Sequence, residues 1–175
     1  MNRTRQLGVP LAALAACILV GCSMHVESVS RQSFSLKGRV AILGKLSREQ
    51  MELFIPLYMK AFPHQALVER QDLMAVLAEQ DLPQTRLRPE THAKLRRVLG
   101  VTAIVYPNYT PKDPGQLSIK VIDTESGEIV AAILVTREVE PWLATRASVR
   151  KMIYKGVDAL RTEANRNATA GWSLW

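Results

Sequence analysis

The residues of this 175-residue chain that could do chemistry are three histidines, two cysteines and a scatter of hydroxyls and carboxylates. His25, His64 and His92 lack a second ligand at metal spacing such as i+4, so they are expected as ordinary surface histidines with no metal between them. No serine sits in Gly-x-Ser-x-Gly, which leaves nucleophilic catalysis without a candidate. Neither Gly-x-Gly-x-x-Gly nor a Walker pattern occurs, so no nucleotide loop is expected. Glu125 and Glu128 flank a turn, where solvation accounts for both carboxylates. These residues predict a protein that is not an enzyme and carries no cofactor.

The cysteines have a different chemistry. Arg3 and Arg5 precede an almost wholly apolar run from Leu7 to Val20. That run is shorter than the roughly 20 apolar residues a membrane-spanning helix needs. A charged start, a short apolar middle and small residues at the end mark a secretory signal peptide. The run closes on Leu-Val-Gly-Cys, residues 19–22, which resembles the bacterial lipobox. That resemblance implies cleavage before Cys22, a multiply acylated cysteine and permanent attachment, since stable anchoring takes more than one chain. Cys17 would leave with the leader, so the mature chain would hold no free thiol and no intramolecular disulfide. Ser23 stands where an aspartate commonly signals inner-membrane retention. The expectation is therefore the outer membrane, with the protein facing the periplasm.

The remaining chain has the length of one domain. Its formal charge is +7, or +5 without Arg3 and Arg5. A modest positive balance suits an anionic lipid or cell-wall polymer, and solubility explains it equally well. A periplasmic address makes nucleic acid an unexpected partner.

The apolar pattern predicts the elements that must position any site. Residues 23–37 are polar and serine-rich and read as a tether, extending to at most about 50 Å. The domain is expected to begin at Gly38. Arg39–Leu43 reads as a buried strand, and Ser47 with Gln50 fits a capping box before a helix bearing Met51, Phe54, Ile55, Tyr58 and Phe62. Pro56 either kinks that helix or starts a second one. Ala66–Glu69 reads as a strand, and Asp72–Gln80 as a helix with Leu73, Val76 and Leu77 inward. A helix from Pro89 turns Leu95, Val98 and Leu99 inward and stops at Gly100. Thr102–Tyr106, Gln116–Asp123 and Glu128–Thr136 read as strands, with 107–115 a loop and the last two strands a hairpin. Glu128–Thr136 is apolar on both faces, which asks for helices on both sides of the sheet. The last helix, about Pro141–Ala164, turns Val149, Met152, Ile153, Gly156, Val157 and Leu160 inward. The fold class is thus α/β, a mixed sheet of about five strands with helices on both faces. The expected organisation is a signal peptide (1–21), lipidated cysteine and tether (22–37), α/β domain (38–164) and tail (165–175).

Inside this order lies LVERQDLMAVLAEQDL, residues 67–82. It resembles the Glu-Arg-x-x-Leu-x-x-Val-Leu-x-Glu-Gln-x-Leu signature of periplasmic lipoproteins related to the curli secretion channel CsgG and the penicillin-binding-protein activator LpoB. LGVTAIV (99–105) and VIDTESGEIVAA (121–132) are similar to two further blocks of that family, and RVAILG (39–44) suits its opening strand. Val101-Thr102 replaces the family's usual Ala-Asp, so any role of that acid is absent. The channel's membrane-spanning strands take about 9–11 residues each, and neither 81–88 nor 107–115 is long enough for a spanning hairpin. The resemblance therefore implies the fold and the envelope setting without the channel. It points to a non-enzymatic envelope assembly or secretion scaffold that binds another protein, or alternatively to a regulator of a peptidoglycan synthase.

Glu69, Arg70, Leu73, Leu77, Glu79 and Gln80 carry the signature. Their expected role is structural, the Arg70 guanidinium bridging strand end and helix start near Glu79 or Asp72. Arg146, Arg150, Lys151 and Lys155 on the last helix form either a solvated face or a patch for a partner or an anionic surface. Trp172 and Trp175 could dock on the domain or anchor an interface. The soluble domain is expected to be monomeric or weakly dimeric, while the lipid holds protomers in one plane where they could cluster.

Overall fold

The computed structural model describes residues 23–31, 34, 36–78, 89–112, 115–138 and 146–170. Six strands form one mixed sheet in the order β1-β6-β5-β4-β2-β3. In chain order the elements are β1 (Ser23–Ser30), β2 (Arg39–Ile42), α1 (Arg48–Ala61), β3 (Ala66–Leu67), α2 (Arg70–Ala78), α3 (Pro89–Leu99), β4 (Val101–Thr110), β5 (Gly115–Asp123), β6 (Ile129–Glu138) and α4 (Arg146–Ala170). β2 runs parallel to β3 and β4, and the β4-β5-β6-β1 half is antiparallel.

The local signals act as expected in several places. Ser47 and Gln50 make the reciprocal capping box, with Gln50 N–H donating to Ser47 Oγ at 3.3 Å and Ser47 N–H donating to Gln50 Oε1 at 2.9 Å. Pro56 is accommodated within a single helix, α1. Gly44 lets β2 leave against β4, because a Cβ there would lie 2.0 Å from the Pro107 carbonyl oxygen.

Helices cover both faces of the sheet, unequally. On one face α1 and α4 pack over the antiparallel strands. Phe54 and Tyr58 meet Met152, Ile153, Val157 and Leu160 above Leu117, Ile119, Ile133 and Val135. Gly156 brings α4 close, since a Cβ there would come within 2.9 Å of Ile119 Cδ1. On the other face α2 and α3 bury Leu73, Val76, Leu77 and Leu95 against Ala41, Leu43, Val101 and Ile104.

Several boundaries differ from the sequence reading. The expected tether contains β1, which pairs with β6 from Ser23↔Glu138 to Ser30↔Ala131 and makes the sheet six-stranded. Its polar inward positions are satisfied at long range: Ser28 Oγ and Ser30 Oγ each donate to a Glu163 carboxylate oxygen at 2.7 Å. β4 continues to Thr110, through the first four residues of the expected 107–115 loop, with the Pro107 carbonyl accepting from Lys45 N–H at 3.0 Å. The expected tail begins as helix, because α4 runs to Ala170. On α3 the inward ring is His92, and Val98 is exposed. On β6, Ile129 is exposed, and Val130, Ala132 and Leu134 are only half-buried.

Candidate functional site

The residues with chemical potential do not converge. Among the described residues no group of three or more His, Cys, Asp or Glu side chains could hold a metal ion. His25 and His64 are exposed. His92 is buried, contrary to the surface position expected of it, and neither ring nitrogen has a hydrogen-bond partner. It packs beside the β5–β6 turn, where a Cβ on Gly127 would lie 3.4 Å from its Nδ1. Burial lowers its pKa from the ordinary histidine value, so the neutral ring is the native form.

The signature residues divide. Leu73 and Leu77 are core residues of the α2–α3 face. Arg70 opens α2, and Glu69 is exposed just before it, its carbonyl accepting from Leu73 N–H at 3.1 Å. Glu79 and Gln80 lie outside the described residues, as do Cys22, Trp172 and Trp175. A cavity of about 210 Å³ opens here between α1, α2 and the ends of β2 and β3, lined by Ile42, Met51, Leu67, Leu73 and Met74 with Glu69 as its charged group. Among the described lining residues Glu69 is the one polar side chain on an otherwise apolar lining.

Two surfaces remain. The first is the sheet face left uncovered by the described helices over β1, β6 and β5. Strand register aligns Val29 with Ala132 and Lys120, then Glu27 with Leu134 and Ser118, across this face. Val29 is 74% exposed, the most exposed of the large apolar side chains described. The second is the start of α4. Arg146, Arg150 and Lys151 are exposed, and Lys155 is half-buried with its Nζ 3.5 Å from the Met24 carbonyl. At about 100° per residue, Arg146 and Arg150 lie on one flank of the helix and Lys151 and Lys155 on another. All four lie within one half of the helix circumference, opposite the buried Met152, Ile153 and Leu160.

Beside the start of α4 lies a group that sequence reasoning missed. Arg137, on β6, is 1% exposed. Its guanidinium donates to Ser148 Oγ at 2.5 Å, and its Nε finds no partner. Gly115 makes room for it on the neighbouring strand, the nearest guanidinium atom lying 3.5 Å from where a Cβ would stand. The sequence signal was alternation: Arg137 continues the inward series Ala131, Ile133, Val135.

No protein-family model matches this chain, and no curated protein matches it. Solved structures do. A PelC dodecamer from Paraburkholderia phytofirmans is similar at TM-score 0.51 and 10% identity, over 79% of this chain and 99% of that one. The LpoB C-terminal domain from Salmonella enterica is similar at TM-score 0.45 and 12% identity, over 75% and 98%. Lipoprotein GNA1162 from Neisseria meningitidis is similar at TM-score 0.40 and 11% identity, over 71% and 98%. At these identities the likeness to PelC is one of fold alone.

Proposed function

We propose that this chain is a lipid-anchored protein of the bacterial envelope, held at the outer membrane through Cys22 and facing the periplasm, that binds another protein and catalyses nothing itself. The observation that carries the reading is the uncovered face of β1, β6 and β5. Apolar positions at Val29, Ala132 and Leu134 on a sheet that two helices cover elsewhere are a surface for a protein. The leader ending in Leu-Val-Gly-Cys supports the address. Scaffolding in envelope assembly or secretion is the preferred role. A PelC chain of the same fold forms a dodecamer, which favours an assembling protein over a solitary one.

The test is a photo-crosslinking residue placed at Val29 in the full-length lipoprotein in cells, with captured proteins identified by mass spectrometry. Crosslinks to a secretion or surface-appendage component, or to a second copy of the chain, support the scaffold. Capture of a peptidoglycan synthase replaces it with the regulator reading. A face that crosslinks to nothing overturns protein binding there.

A further inference from the structure

We infer that the end of the fold from which Ser23 begins is a membrane-docking face, on which the cations at the start of α4 rest on anionic phospholipid headgroups. The inference rests on lipidation of Cys22 and adds to it an orientation and a lipid preference.

The geometry starts from β1. Cys22 directly precedes in sequence the first residue of a strand that is paired along its whole length, so one peptide unit separates it from the sheet. β1 and α4 run in the same direction, because Met24 lies beside Lys155 while Ser28 and Ser30 lie beside Glu163. Going back along α4 from Lys155 to Arg146 covers about 13 Å. Going back along β1 from Met24 to its first residue, Ser23, covers about 3.4 Å, and one further residue can add at most about 3.6 Å. The first turns of α4 therefore project at least as far toward the anchor's end as the anchored residue itself. Acyl chains leaving from Cys22 would bring the bilayer surface to Arg146, Arg150 and Lys151.

The charges of α4 agree with that placement, alongside the acid Glu138, which pairs with Ser23 at the same end. From Arg146 to Val157, α4 carries four cations and no acid, and its first turn lacks the acidic residues that a helix N-terminus favours. Lys112, between β4 and β5, is exposed at the same end. Juxtamembrane cations attract anionic lipid surfaces, and their contributions add.

The experiment uses the mature lipoprotein in vesicles. With Cys17 removed and Cys22 acylated, a cysteine introduced by Ala147→Cys, exposed on the first turn of α4, takes a fluorophore alone. His64→Cys, exposed at the opposite end where β3 begins, is the control. Vesicles contain a headgroup-level spin-label quencher in phosphatidylethanolamine with phosphatidylglycerol, or in phosphatidylcholine alone. Quenching at position 147 should exceed that at 64 by about threefold on the anionic vesicles. The contrast should shrink on phosphatidylcholine and in R146Q/R150Q/K151Q, which changes only exposed side chains. Equal quenching at both positions, or a contrast indifferent to vesicle charge and to the triple variant, overturns the docking face. The mass of the mature protein separates the two ideas. A lipidated Cys22 with no charge-dependent contrast overturns the docking face and leaves the anchor standing, whereas an unmodified Cys22 overturns the lipoprotein reading on which it rests.

Discussion

The two faces of the sheet solve the same problem to different depths. Under α1 and α4 a continuous core spans β2 to β6, with Phe54, Tyr58, Ile119, Ile133, Met152 and Leu160 all fully buried. Under α2 and α3 a smaller cluster centred on Leu73, Leu95 and Ile104 covers only the parallel half. Over the antiparallel half that second face has half-buried Ala132 and Leu134 beside an exposed Val29. The first face carries the larger core, and the second is the one on which protein binding is proposed.

The sharpest way to break this contrast is to empty each core in turn. Phe54→Ala should cost about 3–5 kcal/mol and lower the cooperative denaturant transition as a whole. Leu73→Ala, costing about 2–5 kcal/mol by the same logic, should instead raise hydrogen exchange first in β2, β3 and α2, with β5 and β6 the least affected. Equal loss of protection across all six strands after Leu73→Ala would show that the two clusters act as one.

A second test targets the seam between β1 and α4. Glu163 is buried and accepts from two serine hydroxyls, with Arg166 Nη1 adding a third donor at 3.1 Å. The Ser30 and Ser28 hydrogen bonds, then the Arg166 charge, hold its carboxyl below the ordinary value of 4.5, against desolvation that raises it. Glu163→Ala should cost about 1.5–3 kcal/mol, read by chemical denaturation, with β1 amides losing the most protection. Because the folded pKa is depressed, the carboxylate's contribution is complete above the unfolded value and is lost as pH falls through the folded one. Acid titration should therefore weaken β1 protection below about pH 4.5 in the wild type, and not in Glu163→Ala.

His92 gives a smaller effect at milder pH. Its folded pKa lies below 6.5, so the unfolded chain binds the proton first as acid is added. Stability should decline as pH falls below about 6.5, and His92→Leu should flatten that stretch of the curve, measured by denaturant midpoint. An unchanged slope in the variant would remove the buried neutral ring as its cause.

The parts of this fold that announce themselves in sequence are those whose neighbours are near in sequence or apolar. Ser47 with Gln50 fixes a helix start within four residues, and the stripe Met152, Ile153, Val157, Leu160 declares an inward face without naming what lies beneath. β1 was hidden because its inward residues after Val26 are serines, and serine faces a core only when a distant partner accepts its hydroxyl. Here that partner is Glu163, 135 residues from Ser28. Arg137 was hidden for the same reason, as burial of a guanidinium depends on Gly115 and Ser148 from two other elements. Val98 and His92 exchanged places because α3 covers only part of a face, and periodicity assigns a stripe but not its width. The cations of α4 were visible as residues, while their position at the end of the sheet where β1 begins depended on β1 itself.

The last prediction has the smallest effect on the fold and the largest on the contrast between the faces. Val29→Lys places a charge among Glu27, Ala132 and Lys120 on the uncovered side of the sheet. Val29 is mostly solvated already, so denaturant stability should move by no more than about 0.5 kcal/mol. A protein partner seated on this face would have to bury the new ammonium, which costs far more than exposing it. Co-purification of envelope proteins after crosslinking should then fall sharply while the variant's melting curve overlays that of the wild type. The converse pattern, a destabilised variant that still captures its partner, would mean that this face is covered by the chain's own residues. Binding would then have to be sought elsewhere on the molecule.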